Sequence, residues 1–297
     1  MRILTATISA LLLACPALAQ TPKPGDACLD GHIALEAGDG ARAAELLEQC
    51  LSESELDPEQ EVQTYAAFAA ALLEAERYDD ALAAYNMAFA IADTQHAEIA
   101  NPILWRNRGI VRLELGQLDA ALADLQHAAL EMPDDVLTLL NMGFIYQQME
   151  RPADAVVSYD AIVRLEPEWM GAWLNRSSAL LDAGMTSAAV ADARRAVELE
   201  PANGSSLNML CWTLIQDGRA ETALPLCEEA AAIEPETGHR TGSGRTPRRS
   251  TAAVSAGPPA RPGRSADHRG LRTDASPLIT FRARPAHALP NARACAS

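Results

Sequence analysis

Apolar and small residues recur through residues 24–237 with the spacing of helices that are buried on one side. In a frame of 34 residues they occupy positions 4, 7, 8 and 11, and then positions 20, 24 and 27. Separations of three, four and seven place them on one face of a helix. Each frame therefore predicts two amphipathic helices, A and B. Six units of this kind start at residues 24, 62, 102, 136, 170 and 204.

Glycine and proline mark the predicted helix ends. Position 15 is glycine in four units, where a residue without Cβ can end helix A. Position 32 is proline in the last four units, and proline biases the residue before it away from helix. These residues are Gly38, Gly116, Gly184 and Gly218, and Pro133, Pro167, Pro201 and Pro235. They predict six helical hairpins with short connections.

Three further prolines bear on individual helices. Asn101 and Pro102 predict an N-cap and a first-turn proline for the third unit. Pro58 is interpreted as the closing proline of the first unit, arriving three residues late. Pro225 lies inside the last helix B, where we expect it to kink or delay the helix.

Small residues at positions 8 and 20 allow the two backbones of a hairpin to approach each other. Position 20 is alanine in all six units, at Ala43, Ala81, Ala121, Ala155, Ala189 and Ala223. This pattern resembles the tetratricopeptide repeat family, and the resemblance covers 24–237. It is carried by two sets of residues, Trp105, Gly109, Ala121, Ala128 and Pro133, and Leu139, Gly143, Tyr146, Ala155, Tyr159 and Pro167.

The resemblance implies an all-α fold, a right-handed superhelical solenoid of about six helical hairpins whose concave face is built mainly from A helices. It also implies a non-enzymatic scaffold that binds a peptide or protein segment in the concave groove. In relatives, positions 2, 5, 6, 9, 12 and 13 of helix A commonly face that groove. Carried over by position, the peptide-binding residues are Arg106, Asn107, Ile110, Leu140, Asn141, Phe144, Gln148, Asn175, Asn208 and Trp212.

Three of these residues, Asn107, Asn141 and Asn175, share position 6 in successive units. They would form a ladder able to hydrogen-bond an extended peptide backbone, with Phe144 and Trp212 as apolar anchors beside it. The alternative is that the asparagines and the rings serve local packing. Some relatives bind the terminal carboxylate of a peptide with Lys or Arg at several groove positions. This sequence has a basic residue at only one of them, Arg106, so we do not expect a carboxylate clamp.

Charged residues at positions 7 and 23 occur together. The third and fifth units carry Arg108 with Asp124, and Arg176 with Asp192, where the other units lack the combination. We expect each pair to link helix A to helix B as a structural ion pair. If it is partly exposed, such a pair contributes up to ~1 kcal/mol.

Four of the cysteines fall in the two terminal units. Cys28 and Cys50 lie on opposite helices of the first hairpin, and Cys211 and Cys227 on opposite helices of the last. We predict a disulfide within each pair, because disulfides persist outside the cytoplasm and would limit fraying at the ends of a repeat array. Separate buried thiols are the alternative.

Residues 1–19 indicate the cellular compartment in which the protein is located. A basic start, an apolar run and an Ala17-Leu18-Ala19 site predict a signal peptide cleaved after Ala19 and a periplasmic or secreted protein. In the alternative, Leu12 to Cys15 is a lipobox and the protein is a lipoprotein anchored through Cys15. No later segment reaches the roughly 20 apolar residues of a transmembrane helix.

Charge divides the chain near Gly238. Residues 1–237 carry 13 Lys and Arg against 38 Asp and Glu, while 238–297 carry 11 Arg and 2 Asp, which together give the net −16. The acidic body argues against nucleic acid as a partner and favours a neutral or basic polypeptide. The tail, 238–297, is predicted to be disordered; it is either a basic arm or an out-of-frame translation.

Motifs for chemistry are missing from the sequence. It has no His-Glu-x-x-His, Gly-x-Ser-x-Gly or nucleotide-binding glycine loop, so we expect no enzymatic activity, cofactor or metal. The predicted organisation is a signal peptide at 1–19, a repeat solenoid at 20–237 and the tail. The alternative function is a structural assembly factor of the cell envelope that acts through convex or edge surfaces.

Overall fold

A computed structural model describes residues 26–94 and 101–233, and all regular structure in these two ranges is α-helical. They form two compact units, each of which contains three of the 34-residue repeat units. The first compact unit holds α1 to α6 and the second holds α7 to α12, with the division between Pro133 and Asp134. The first six helices are α1 (Ala27–Glu36), α2 (Gly40–Glu53), α3 (Pro58–Glu74), α4 (Tyr78–Thr94), α5 (Pro102–Glu114) and α6 (Leu118–Glu131). The others are α7 (Val136–Gln148), α8 (Pro152–Leu165), α9 (Met170–Asp182), α10 (Thr186–Leu199), α11 (Gly204–Gln216) and α12 (Ala220–Ile233).

The all-α prediction and the six helical hairpins are confirmed. Odd-numbered helices are the predicted A helices and even-numbered ones the B helices, and each A helix packs against the B helix that follows it. All six B helices begin at position 17 of their unit. The predicted signal peptide, the tail and Pro235 lie outside the described residues.

One of the proline predictions, for Pro58, is wrong, and the delay expected from Pro225 is not seen. Pro58 does not close the first unit; it is the first residue of α3, where its missing N–H costs nothing. Asp57 caps this helix and forms a capping box with Gln60. Pro225 does not delay α12, which starts at Ala220 like the other B helices and continues through the proline. Asn101 and Pro102 act as predicted, because Asn101 accepts a hydrogen bond from the Leu104 N–H.

The turn at position 15 is left-handed in every unit. The four predicted glycines have φ between 73° and 76°, for example Gly116 at 74°. The other two units place a glutamate in the same conformation, Glu76 at φ 58° and Glu150 at φ 56°. A residue with Cβ is strained there by roughly 1–2 kcal/mol. The turn is therefore set by the hairpin geometry even where glycine is missing.

Glu150→Gly is accordingly expected to stabilise the protein by about 0.5–1 kcal/mol, because relief of strain exceeds the extra entropy of glycine in the unfolded chain. Urea unfolding monitored by circular dichroism measures the change. Glu48→Gly, at an exposed position in the middle of helix α2, is the matched control and is expected to destabilise by about 1 kcal/mol. A loss of stability in both variants would contradict the strain at position 15.

Close approach of the hairpin helices depends on positions 8 and 20, as predicted. All six alanines at position 20 are fully buried. At Gly143, a Cβ would lie 2.6 Å from Cε1 and 2.7 Å from Cζ of Tyr159. At Gly109 the equivalent atom would lie 3.0 Å from Cγ of Leu125 and 3.2 Å from the Ala121 carbonyl oxygen and the Asp124 Cβ, which are longer contacts than those with Tyr159. The fourth hairpin therefore has the stricter requirement for glycine.

We expect Gly143→Ala to destabilise the protein by about 1–3 kcal/mol, since the Tyr159 ring must shift in a filled core. Gly109→Ala serves as control and should change stability by less than about 1 kcal/mol, because gained helix propensity offsets a smaller clash. Thermal unfolding of the two variants side by side measures the difference. Equal effects would show that the Tyr159 contact does not limit the packing.

Candidate peptide-binding surface

Two arginines, the buried Arg108 and the half-buried Arg176, tie down A helices that carry predicted binding residues. Arg108 Nε and Nη2 donate to the two carboxylate oxygens of Asp124, each at 2.9 Å. Arg176 Nε and Nη2 donate to Asp192 in the same way, at 2.7 and 2.9 Å. Both predicted pairs are confirmed, and both are two-pronged contacts of a guanidinium with a carboxylate. Hydrogen bonding to Asp192 raises the pKa of Arg176, although burial opposes the shift.

The pairs are more buried than the sequence suggested. The Asp124 side chain is only 2% exposed, and Arg112 Nη1 also lies 2.8 Å from its Oδ2. The estimate of up to ~1 kcal/mol for a partly exposed pair therefore does not apply to Asp124. Breaking a buried pair leaves an uncompensated charge and costs several kcal/mol.

Each arginine also reaches the preceding hairpin. Arg108 Nη1 donates to Asn86 Oδ1 of α4 at 3.3 Å, and Arg176 Nη1 to Asp160 Oδ1 of α8 at 2.6 Å. Asn86 and Asp160 both occupy position 25 of their units. One side chain thus joins three helices, its own A helix, the following B helix and the preceding B helix. Sequence reasoning missed the third contact, although polar residues at position 25 before each arginine-bearing unit are visible in the sequence.

Aromatic rings complete the same arrangement. The Arg108 guanidinium lies 3.7 Å from the ring centroid of Phe89 and 5.0 Å from that of Trp105. In the fifth hairpin Arg176 lies 5.0 Å from the ring of Trp173. The tryptophans at position 4 therefore serve packing and cation–π contact.

Seven of the ten predicted binding residues have accessible side chains. Gln148 and Asn208 are exposed, and the other five are half-buried, namely Asn107, Leu140, Phe144, Asn175 and Trp212. Five of these residues belong to the second compact unit, and we call them the A-helix face. They are Phe144, Gln148, Asn175, Asn208 and Trp212. These residues come from α7, α9 and α11.

Arg106, Ile110 and Asn141 differ from expectation because they are buried. Arg106 Nε donates to Asn107 Oδ1 at 3.3 Å, so the first asparagine of the predicted ladder accepts a local bond. Asn141 is 0% exposed, and its Nδ2 donates to the Leu137 carbonyl at 2.8 Å. Asn141 is thus a packing residue in this structure. Of the three asparagines of the predicted ladder, Asn107 and Asn175 are half-buried and only Asn141 is closed to a ligand.

A hydrogen-bond network joins α7 to α9 beside the A-helix face. Gln147 Nε2 donates to Asp182 Oδ2 at 3.0 Å and to Ser178 Oγ at 3.4 Å, and Tyr159 OH donates to Gln147 Oε1 at 2.9 Å. Burial is the main cause that raises the pKa of Tyr159, with Asp182 adding to the shift. The tyrosine therefore remains a neutral donor. This network fixes the neighbouring A helices α7 and α9 relative to each other within the second compact unit.

In the first compact unit, A helices end in glutamates that lack cationic partners. Glu74 and Glu114 share position 13, and Glu76 follows in the turn after α3. Burial raises the pKa of both Glu74 and Glu114, and Glu76 adds to the effect on Glu114. Within the two described ranges, none of the three forms an ion pair. A cationic group placed there would relieve this unfavourable electrostatic arrangement.

The cysteines of each terminal hairpin lie at disulfide distance. The Cα atoms of Cys28 and Cys50 are 4.8 Å apart, and those of Cys211 and Cys227 are 5.3 Å apart. Both values lie in the range found for disulfides. A disulfide within each pair, as the sequence predicts, would join α1 to α2 and α11 to α12.

Two features of the described residues concern membranes and metal ions. Among the described helices, none has the length and apolar character needed to cross a bilayer. No cluster of three or more His, Cys, Asp or Glu side chains suited to a metal ion occurs in 26–94 or 101–233.

Comparisons with known proteins agree with the fold. Residues 171–203 match the family model described as Tetratricopeptide repeat. No curated protein matches the chain. A tetratricopeptide repeat protein from Parabacteroides merdae has a TM-score of 0.59 and 17% identity, over 70% of this chain and 78% of that one. YrrB, a TPR protein "with an unusual peptide-binding site", has a TM-score of 0.54 and 19% identity, over 65% and 94%. MamA has a TM-score of 0.51 and 19% identity, over 59% and 98%.

Proposed function

Because residues 171–203 match the tetratricopeptide repeat model and the described helices have the fold of such repeat proteins, we propose that the chain is a non-enzymatic scaffold. It holds a peptide or protein segment against the A-helix face. The observation that carries this proposal is the set of accessible amides and rings on α7, α9 and α11. Repeat arrays commonly use such continuous surfaces for binding.

Amides and aromatic rings suit an extended peptide. Gln148, Asn175 and Asn208 each offer a donor and an acceptor to a peptide backbone. Phe144 and Trp212 are half-buried rings that can anchor apolar side chains of the ligand, as buried aromatics do at most interfaces. The Gln147 network links α7 to α9 beside this surface, so little ordering of these two helices is required on binding.

Charge favours a neutral or basic partner. Residues 1–237 carry a net charge of −25, and Glu74, Glu76 and Glu114, at or just after the ends of A helices, form no ion pair among the described residues. Complementary charge raises the association rate and disfavours acidic partners. We place the encounter in the periplasm or outside the cell, on the signal-peptide pattern of residues 1–19.

Photo-crosslinking tests this function directly. A photoreactive residue is placed at Asn208 on the A-helix face and, as a matched control, at Val157, which is 70% exposed on helix α8. We expect a partner to crosslink at 208 in the cell envelope, and the yield to fall when Trp212→Ala is added. Equal crosslinking at 157, or a yield insensitive to Trp212→Ala, would contradict binding on the A-helix face.

A further inference from the structure

The two predicted disulfides differ in how accessible their cysteines are. Cys28 is half-buried, whereas its partner Cys50 is 0% exposed. Cys211 and Cys227 are 5% and 8% exposed, and both belong to an apolar cluster that also contains Val190 of α10. A thiolate that attacks a disulfide must reach one of its sulfur atoms. Of these four cysteines, Cys28 is therefore the one that an attacking thiolate reaches most easily.

Helix α1, which carries Cys28, is weakly anchored by packing. One of its ten residues, Gly31, is buried, while seven of the thirteen residues of α11, which carries Cys211, are buried. The α1 backbone lies directly over Leu47 of α2, since a Cβ on Gly31 would be 2.7 Å from Leu47 Cγ. Few buried contacts are typical of segments that open locally. The link to Cys50 therefore supplies much of the attachment of α1 to α2.

We propose that the Cys28–Cys50 disulfide is a thiol-exchange site and that its reduction by a dithiol releases helix α1. The Cys211–Cys227 disulfide stays closed under the same conditions. This inference rests on the predicted disulfides and goes beyond the scaffold function, since it concerns the first hairpin and not the A-helix face.

The exchange takes two balanced steps. A thiolate of the dithiol attacks Cys28 Sγ, forms a mixed disulfide there, breaks the protein S–S bond and expels the Cys50 thiolate. Because Cys50 is buried, its thiolate takes up a proton. The second thiolate of the dithiol attacks the mixed disulfide and expels the Cys28 thiolate, to which the Ser54 hydroxyl, 3.4 Å from Sγ, can donate. Two electrons and, overall, two protons pass from the dithiol to the protein.

Release of α1 uncovers the surface of α2 beneath it. Leu47 and Cys50 are both 0% exposed while α1 is in place. After reduction they become accessible, Leu47 as an apolar side chain and Cys50 as a free thiol. The first hairpin is therefore redox-sensitive, whereas the buried cluster around Cys211 and Cys227 keeps the last hairpin closed.

Timed reduction of the oxidised full chain tests the exchange site. Peptide mapping without reduction first establishes both links. The protein is then treated with dithiothreitol, quenched and alkylated at intervals, and mass spectrometry follows each cysteine. We expect Cys28 and Cys50 to be reduced at least about 10-fold faster than Cys211 and Cys227. In denaturing urea, where access is equal, the two rates should agree within about twofold.

Two further measurements locate the attack and its consequence. A monothiol, glutathione, should leave its adduct on Cys28, because Cys50 is shielded. Amide hydrogen exchange in α1 should accelerate at least about 10-fold after selective reduction, whereas exchange in α11 should not change. The control is the Cys28→Ser, Cys50→Ser double variant, whose α1 should exchange rapidly with or without the dithiol.

Four outcomes overturn the proposal. The first is equal reduction rates for the two disulfides in the native protein. The second is a glutathione adduct on Cys50, and the third is unchanged exchange in α1 after reduction. The fourth is four free thiols in the oxidised protein, which would remove the disulfides themselves but leave the crosslinking test of the A-helix face unaffected.

Discussion

Replacing Asp124 with alanine is expected to lower the free energy of unfolding by roughly 3–5 kcal/mol. The Asp124 carboxylate is almost completely buried and compensates Arg108 and Arg112 together. Its removal leaves two guanidinium groups with little access to water. Urea unfolding of the variant measures the loss.

Asp154→Ala is the matched control for this charge deletion. Asp154 pairs with Arg151 at 2.8 Å, but both side chains are close to half exposed. Water replaces such a partner, so the expected cost is within about 1 kcal/mol. Equal effects of Asp124→Ala and Asp154→Ala would show that the buried pair does not hold the third hairpin together.

Loss of the terminal disulfides is expected to have the second largest effect. Cys28 and Cys50 enclose a separation of 22 residues, and Cys211 and Cys227 one of 16. In the loop-entropy picture, each link contributes roughly 3 kcal/mol. Replacing both cysteines of one pair with serine should lower stability by about that amount, measured by denaturant unfolding under oxidising conditions.

Peptide mapping without reduction is the accompanying control, and it should show Cys28 linked to Cys50 and Cys211 linked to Cys227. Reducing agent should destabilise the unmodified protein but leave the variant that lacks both pairs unchanged. Four free thiols in the oxidised protein would contradict the proposed links and favour separate buried thiols.

Much of the fold can be predicted from sequence because each repeat obeys local rules. The spacing of apolar residues specifies two helices, and alanine at position 20 specifies their close contact. Local reasoning fails where one residue type can mark two different features, because proline can follow the end of a helix or occupy its first turn. The repeat spacing places Pro58 at a helix end, although Asp57 and Gln60 flank it with the pattern of a helix start. Glu76 and Glu150 adopt the glycine conformation only because the hairpin requires it.

The candidate site was less predictable, since access depends on neighbours in other repeats. The pairing of Arg108 with Asp124 follows from covariation between units of one sequence. The third contact, with Asn86, requires knowing which side of α5 faces α4. Position 6 alone could not reveal that Asn141 is buried and bonded to its own helix while Asn175 keeps access to solvent. Repeat position predicts the helix face, whereas burial decides whether a ligand can reach it.

The most direct test of the proposed scaffold is the affinity of the crosslinked partner segment, synthesised as a peptide, for three purified proteins. These are the unmodified chain, a Phe144→Ala, Trp212→Ala double variant and a Val157→Ala control. Binding on the A-helix face predicts a loss of at least about 10-fold in the double variant and less than about twofold in the control. An unchanged Kd for the folded double variant would contradict it.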